Sequence, residues 1–276
     1  MIKGGDFLSY TCKYFDWMPL KERMFMASWM MHFRIADVLL KAGSWGDMPP
    51  EAVTAFLLGN VAPDSGVPTP DGRGYTPNKN TSHFMRRFEG VPAGQNPERC
   101  DPLWLAEAWL TPALERGDGE AAAFYLGYLC HLVTDNAWVR DFIYPAKEQF
   151  SHLRLEDGKE TPEGVARFYA FVKKDWYDMD FLYIKQNPDL TAYKQFLQAP
   201  TLENRFLPFF PSDAFEVKRR EIRKFYLRGA SGVEERDLYI SDAQAEDFVQ
   251  AVVSELLSDF PDLFRAVTNL CQPLPL

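Results

Sequence analysis

Within the segment 119–143, GEAAAFYLGYLCHLVTDNAWVRDFI, His131 is followed four residues later by Asp135. On a helix, positions i and i+4 share a face with side chains about 6 Å apart, so an imidazole and a carboxylate can reach one ion. The surrounding helix is oily, and a carboxylate buried there needs a cation or a hydrogen-bonded partner. A plain His–Asp hydrogen bond that orders a bundle has the same spacing, so the pair gains weight from its neighbours. The chain has 4 histidines. His32 lies in an apolar helical stretch, His83 at a helix start in NKNTSHF, His131 in the central helix and His152 in the less regular QFSHLRL. Asp64 stands in GNVAPDSG, where a helix ends and a polar loop begins; alone it reads as a turn-stabilising residue. Lys79 and Arg86 lie near His83 in sequence and are candidates for binding phosphate. Trp29, Phe33, Phe84 and Tyr125 are candidates for an apolar wall, although core packing explains each. Asp175, Asp178 and Asp180 in KKDWYDMDF read as a solvated helix surface; Asp175 is a candidate supporting residue for a ligating histidine.

The elements that must position these residues are helical. Ser28 is the expected N-cap of a helix over Trp29–Lys41, with Ile35, Val38 and Leu39 on its apolar side. Pro49 and Pro50 open a helix over Glu51–Leu58 that stops at Gly59. Residues 60–82 read as an ordered loop, long enough in a compact domain to suggest function. A short helix over Ser82–Arg87 and another over Pro102–Glu115 follow. The segment Gly119–Ile143, apolar nearly all round in its first half, belongs at the centre of a bundle. Residues 155–162 form a polar break, and helices near Pro162–Ile184, Leu190–Leu197, Ser212–Leu227 and Asp242–Val267 complete the chain, with a polar turn around Gly229–Asp237. No alternating strand pattern is evident. The expected fold is all-α, a compact multi-helix bundle in a single domain over 1–276, with 1–25 an extension or loosely packed arm and Met26 an alternative start.

Composition narrows the function. The 276 residues are 46% hydrophobic, 25% charged and 15% aromatic, ordinary for a globular protein with a large core. A net charge of −9 argues against nucleic acid as a partner, because phosphate backbones are held by clustered Lys and Arg. Four scattered cysteines without a CxxC pair are neither a zinc-thiolate motif nor a disulfide scaffold, and Cys130 fits as a small core hydrophobe. With no apolar run near ~20 residues and no signal-peptide core, the expected location is cytoplasmic. The chain has no adjacent His-Asp pair of the kind HD-type phosphohydrolases use, and no basic-aromatic interleaving of the kind a nuclease would show.

In order along the chain, His32 in a first helix, GNVAPDSG, Lys79-x-x-x-His83-Phe84 and GYLCHLVTD resemble the bacterial zinc-dependent phospholipase C family, and more distantly the single-strand-specific zinc nucleases. The resemblance spans roughly residues 26–143. It implies an all-α bundle whose central helices carry zinc. Asp64, His83, His131 and Asp135 match the ligands of one ion, and His32 a ligand of a neighbouring second ion that Asp135 would bridge. Asp64 would also accept a proton from the attacking water. The family's three-metal pattern needs a histidine six residues after the bridging aspartate, where this chain has Asp141, an oxygen ligand suited to a harder ion. His152 with Glu156 comes early for the family's downstream pair. A mixed N/O donor set also accepts manganese, nickel or iron. The implied activity is metal-dependent hydrolysis of a small-molecule or lipid phosphate ester; the alternative is a metal-stabilised helical binding protein without turnover.

Overall fold

The computed structural model describes residues 26–42, 48–91, 97–200, 203–229, 233, 236 and 239–272. Residues 1–25, where an arm is expected, and most of the turn at 229–237 lie outside them. Helix α1, Trp29–Lys41, begins where expected: the Ser28 side chain accepts from the Met31 amide, satisfying one of the donors a helix start leaves free. Helix α2, Pro50–Gly59, starts with proline at its first turn. Residues 60–82 are more structured than a loop. They hold a 3₁₀ turn, Ala62–Asp64, an antiparallel pair of β1 (Val67–Pro68) with β2 (Tyr75–Thr76), and a single-turn helix α3, Lys79–Ser82, capped by Asn78.

The helix expected over Ser82–Arg87 is not there. Residues Met85–Arg87 form strand β3, paired antiparallel with β4, Glu98–Cys100. Asn78 starts the helix early, and Phe84 ends it by adopting a left-handed backbone (φ 47°) that redirects the chain. That conformation costs a bulky residue on the order of 1 kcal/mol. The Phe84 ring meets Trp104 and Tyr128 at centroid distances of 4.8 and 5.5 Å, which offsets it.

Helices α4 (Pro102–Leu105) and α5 (Thr111–Glu115) flank a π-turn, Ala106–Leu110. The central helix α6, Gly119–Trp138, is buried along almost its whole length and runs into a second π-turn, Val139–Ile143. Helix α2 crosses it so closely that two glycines are required. A Cβ on Gly127 would sit 2.0 Å from the Phe56 carbonyl oxygen, and one on Gly59 would sit 2.0 Å from that of Phe124. Short helices α7 (Tyr144–Gln149) and α8 (Ser151–Arg154) lead to a hairpin of β5 (Leu155–Glu156) and β6 (Lys159–Glu160). Asp157 and Gly158, both at positive φ, form its turn.

Helices α9 (Pro162–Gln186), α10 (Thr191–Gln198) and α11 (Ala214–Gly229) follow. The helix expected over 242–267 is two, α12 (Asp242–Asp259) and α13 (Pro261–Cys271), because Pro261 cannot continue the ladder and instead opens a new first turn. The fold is all-α, with only short strand pairs. Helix α1 is tied into the bundle from several sides. Phe33 packs on Phe196 and Tyr193, the Asp37 carboxylate accepts from the Ala192 amide at the start of α10 (2.9 Å), and Arg34 pairs with Glu246 (2.9 Å). Among the described residues, no helix is long and apolar enough to cross a membrane. Cys100, Cys130 and Cys271 are free thiols, the first two buried.

Candidate metal centre

Five of the residues singled out from the sequence meet at one point. His32 comes from α1, Asp64 from the 3₁₀ turn after α2, His83 from the end of α3, and His131 and Asp135 from α6. Their potential ligand atoms form two overlapping groups, His32–His131–Asp135 and Asp64–His83–His131, each with all atoms within 4.8 Å of one another. His131 Nε2 is 3.1 Å from Asp135 Oδ2, His83 Nε2 is 3.6 Å from both Asp135 Oδ2 and Asp64 Oδ1, and His32 Nε2 is 3.4 Å from Asp135 Oδ1. The imidazoles of His32 and His131 stack in parallel, with centroids 3.9 Å apart.

These atoms are close, yet four of them lack a hydrogen bond. Nε2 of His32, His83 and His131 and Oδ2 of Asp135 are all buried and unpartnered. Leaving such groups unsatisfied costs about 1–3 kcal/mol each. An uncompensated cluster of nitrogen lone pairs and a carboxylate is the donor set that a zinc-like cation takes. The residues present therefore fit the ion that the sequence resemblance implies.

The outer contacts orient these donors. His131 Nδ1 lies 2.8 Å from the Asn60 carbonyl, so it carries the proton and Nε2 is left facing inward. His83 Nδ1 lies 3.2 Å from the Lys79 carbonyl and 3.0 Å from Ser82 Oγ, with the same effect. Each carboxylate has one oxygen occupied. The Ala27 amide donates to Asp135 Oδ1 (3.0 Å), and the Trp29 indole to Asp64 Oδ2 (2.8 Å). The opposite oxygens, Asp135 Oδ2 and Asp64 Oδ1, face His83 and His131. The α3 turn is pinned to α6 by the Tyr128 hydroxyl, which donates to the Ser82 carbonyl. Next to Asp135, the Asn136 side chain bonds both the amide and the carbonyl of Cys100, anchoring β4.

Burial and charge set the protonation states. Burial lowers the pKa of His32 and of His83, against the pull of nearby carboxylates. At His131 burial acts in the same direction, but the Asp135 charge and contact outweigh it and the pKa is raised. Burial opposes ionisation of both aspartates and loses: Lys79 and His83 hold Asp64 well below the usual carboxylate range, and His131 and His32 do so for Asp135. A cation taken up by this cluster would have to displace the proton that His131 retains most tightly. Apparent zinc affinity is therefore expected to fall by about tenfold per pH unit once the pH drops below the raised His131 value. Chelator-competition titrations between pH 8 and pH 5.5 check this; a flat affinity over that range would contradict it.

The other sequence candidates are placed as follows. Lys79 Nζ stands 3.7 Å from Asp64 Oδ1, at the partly exposed edge of the cluster. Arg86 is on β3 and pairs with Asp101 (2.9 Å). Asp141 is exposed and paired with Arg140 (2.8 Å). His152 is exposed on α8 beside the Phe150 ring. Asp141, His152 and Asp175 belong to neither ligand-atom group. Asp175 accepts from the Tyr239 and Ile240 amides (3.0 and 2.9 Å) and lies 3.5 Å from an Arg236 nitrogen, anchoring the chain before α12. The acidic patch on α9 is not a solvated surface: Asp175 and Asp180 are buried, and Asp178 pairs with Lys174. Phe33 is core, Tyr125 donates to the Phe206 carbonyl, and of the four aromatic candidates Trp29 bonds Asp64.

The parts absent from the sequence reading are the Trp29 indole and the Ala27 amide. Neither has a spacing signature, because a donor to a folded-in carboxylate is defined by tertiary packing. A family model described as zinc dependent phospholipase C matches residues 31–156, which include all five converging residues. No curated protein and no solved structure matches the chain. The family model covers residues 31–156, somewhat under half of the chain, and over that segment the chain is similar to the zinc dependent phospholipase C family.

Proposed function

We propose that the protein is a metal-dependent hydrolase of phosphate esters of the phospholipase C type, in which water attacks phosphorus. The observation that carries this reading is the set of unpartnered Nε2 atoms of His32, His83 and His131 converging with Asp135 Oδ2 beside Asp64. Asp64, His83, His131 and Asp135 would hold one ion, and His32 with Asp135 would serve a second. A zinc-type ion supplies charge beside a phosphoryl oxygen and acidifies water.

The chain's own groups do the rest. The histidines and Asp135 are at most 2% exposed, whereas the Asp64 and Lys79 side chains are 10% and 19% exposed, so a substrate approaches from that edge. With Oδ2 held by Trp29, Asp64 presents Oδ1 inward, where it orients water and accepts its proton. Its low pKa makes it a weak base, so the transfer depends on the water being acidified first. The Lys79 ammonium, on the same edge, is placed to hold a phosphate oxygen by a charge-assisted bond.

Hydrolysis of a phosphatidylcholine-type lipid, a soluble phosphodiester and a phosphomonoester by zinc-loaded protein tests the reading. Cleavage abolished by a chelator and restored by zinc is expected. Zinc bound stoichiometrically with no turnover on any of the three would replace the reading with that of a metal-stabilised binding protein. Lys79→Met is expected to lower kcat/KM by about 10–100-fold, the equivalent of one charge-assisted hydrogen bond, with zinc content unchanged. Equal activity in that variant would remove Lys79 from substrate binding.

A further inference from the structure

Everything that meets the ligands from α1 comes from its first turn and the residue pair before it: the Ala27 amide, the Trp29 indole and His32. What fixes that turn lies far away in sequence. Asp180 on α9, 1% exposed, accepts from the Ser28 hydroxyl at Oδ1 (2.8 Å) and from the Tyr226 hydroxyl at Oδ2 (3.0 Å). Each hydroxyl in turn accepts from an amide at the start of α1: Ser28 from Met31 (3.3 Å), which also donates to the Ser28 carbonyl (3.0 Å), and Tyr226 from Met30 (2.8 Å). One buried carboxylate thus gathers two hydroxyls and, through them, two amides of the first turn of α1.

We infer that Asp180 is a positioning residue of the metal centre, acting through Ser28 and Tyr226 on the first turn of α1. The inference rests on the cluster being a metal centre, as proposed above. By fixing this turn, Asp180 keeps the Ala27 amide on Asp135 Oδ1 and the Trp29 indole on Asp64 Oδ2, so that the remaining oxygens face His83 and His131. Neither Asp180 nor Tyr226 lies in the family-matched segment 31–156. The C-terminal helices therefore contribute to the centre without supplying any of the five converging residues.

Asparagine at position 180 cannot reproduce the arrangement. It offers one accepting oxygen and one donating NH₂, while both hydroxyls already accept from amides and need an acceptor for their own protons. The test compares Asp180→Asn with Asp175→Asn, another buried aspartate of α9 that anchors residues 239–240 instead. Zinc affinity is measured by chelator competition, the cobalt-loaded protein by its visible spectrum, and the metal-free protein by its Tm. Asp180→Asn is expected to bind zinc about tenfold more weakly or worse, as outer partners of metal ligands do, with a changed cobalt spectrum. Asp175→Asn should lower Tm and leave affinity and spectrum as in wild type.

Should Asp180→Asn fail to fold, Tyr226→Phe, which removes one of the two hydroxyls, is expected to weaken zinc binding several-fold. A folded Asp180→Asn or Tyr226→Phe with wild-type affinity and spectrum would overturn the inference and leave the metal centre standing. So would an equal loss in Asp175→Asn. Wild-type protein that binds no metal would overturn both.

Discussion

Asp135→Asn is expected to weaken zinc binding by about 10²–10³-fold and to abolish phosphate-ester hydrolysis at micromolar zinc. Removing one partner of a buried charge pair costs roughly 3–5 kcal/mol, and about 1.4 kcal/mol is a factor of ten. The geometry explains why the fold should survive. The asparagine oxygen can still take the Ala27 amide at the position of Oδ1. Its NH₂ group would then face His131 and His83, where Oδ2 now lies 3.1 and 3.6 Å from their Nε2 atoms. The charge that raises the His131 pKa would go as well, so the imidazole should titrate lower in the variant. Calorimetric zinc titration and proton NMR of the imidazoles read the two effects. Affinity within a few-fold of wild type would remove Asp135 from the ligand set.

Gly127→Ala is expected to destabilise the protein by about 3 kcal/mol, lowering Tm by roughly 10 °C. The added methyl would lie 2.0 Å from the Phe56 carbonyl oxygen and 3.1 Å from the Asn60 amide, and backbone cannot swing aside as a side chain can. Helix α2 would have to retreat from α6, and the Asn60 carbonyl that orients His131 would move with it. The substitution should therefore weaken metal binding in whatever fraction folds. Gly72→Ala is the matched control: its methyl meets nothing within 4 Å, and the remaining cost is its φ of +67°, on the order of 1 kcal/mol. A Gly127→Ala protein melting within about 2 °C of wild type would show that the crossing is looser than described.

The sequence was most legible where a signal was local. Helix α1 runs over Trp29–Lys41 as read, because Ser28 is a cap and the apolar side is periodic. The His131–Asp135 pair needed only helical spacing. Asp64, His83 and His32 come from three separate elements, and their convergence was readable only through an ordered resemblance to a family. Local signals failed where pairing is distant. Nothing in Met85–Arg87 announces that Glu98–Cys100 will lie beside it. Asp175 and Asp180 read as surface because acidic residues usually are, whereas each is buried against donors from segments that approach only in the folded state.

The clamp on α1 also dictates an order of events during synthesis. Once residue 156 has emerged, all five converging residues exist, yet the Met30 amide still awaits a hydroxyl 196 positions downstream, and Ser28 a carboxylate 152 positions downstream. Contacts this distant in sequence form late and slow the search for the native topology. A nascent chain stalled before α9 and α11 emerge would carry all five converging residues, with the first turn of α1 lacking its Asp180 and Tyr226 partners. If the cluster holds an ion as proposed, its retention would mark completion of the polypeptide, and a product truncated ahead of Tyr226 is expected to hold it more weakly than the full chain.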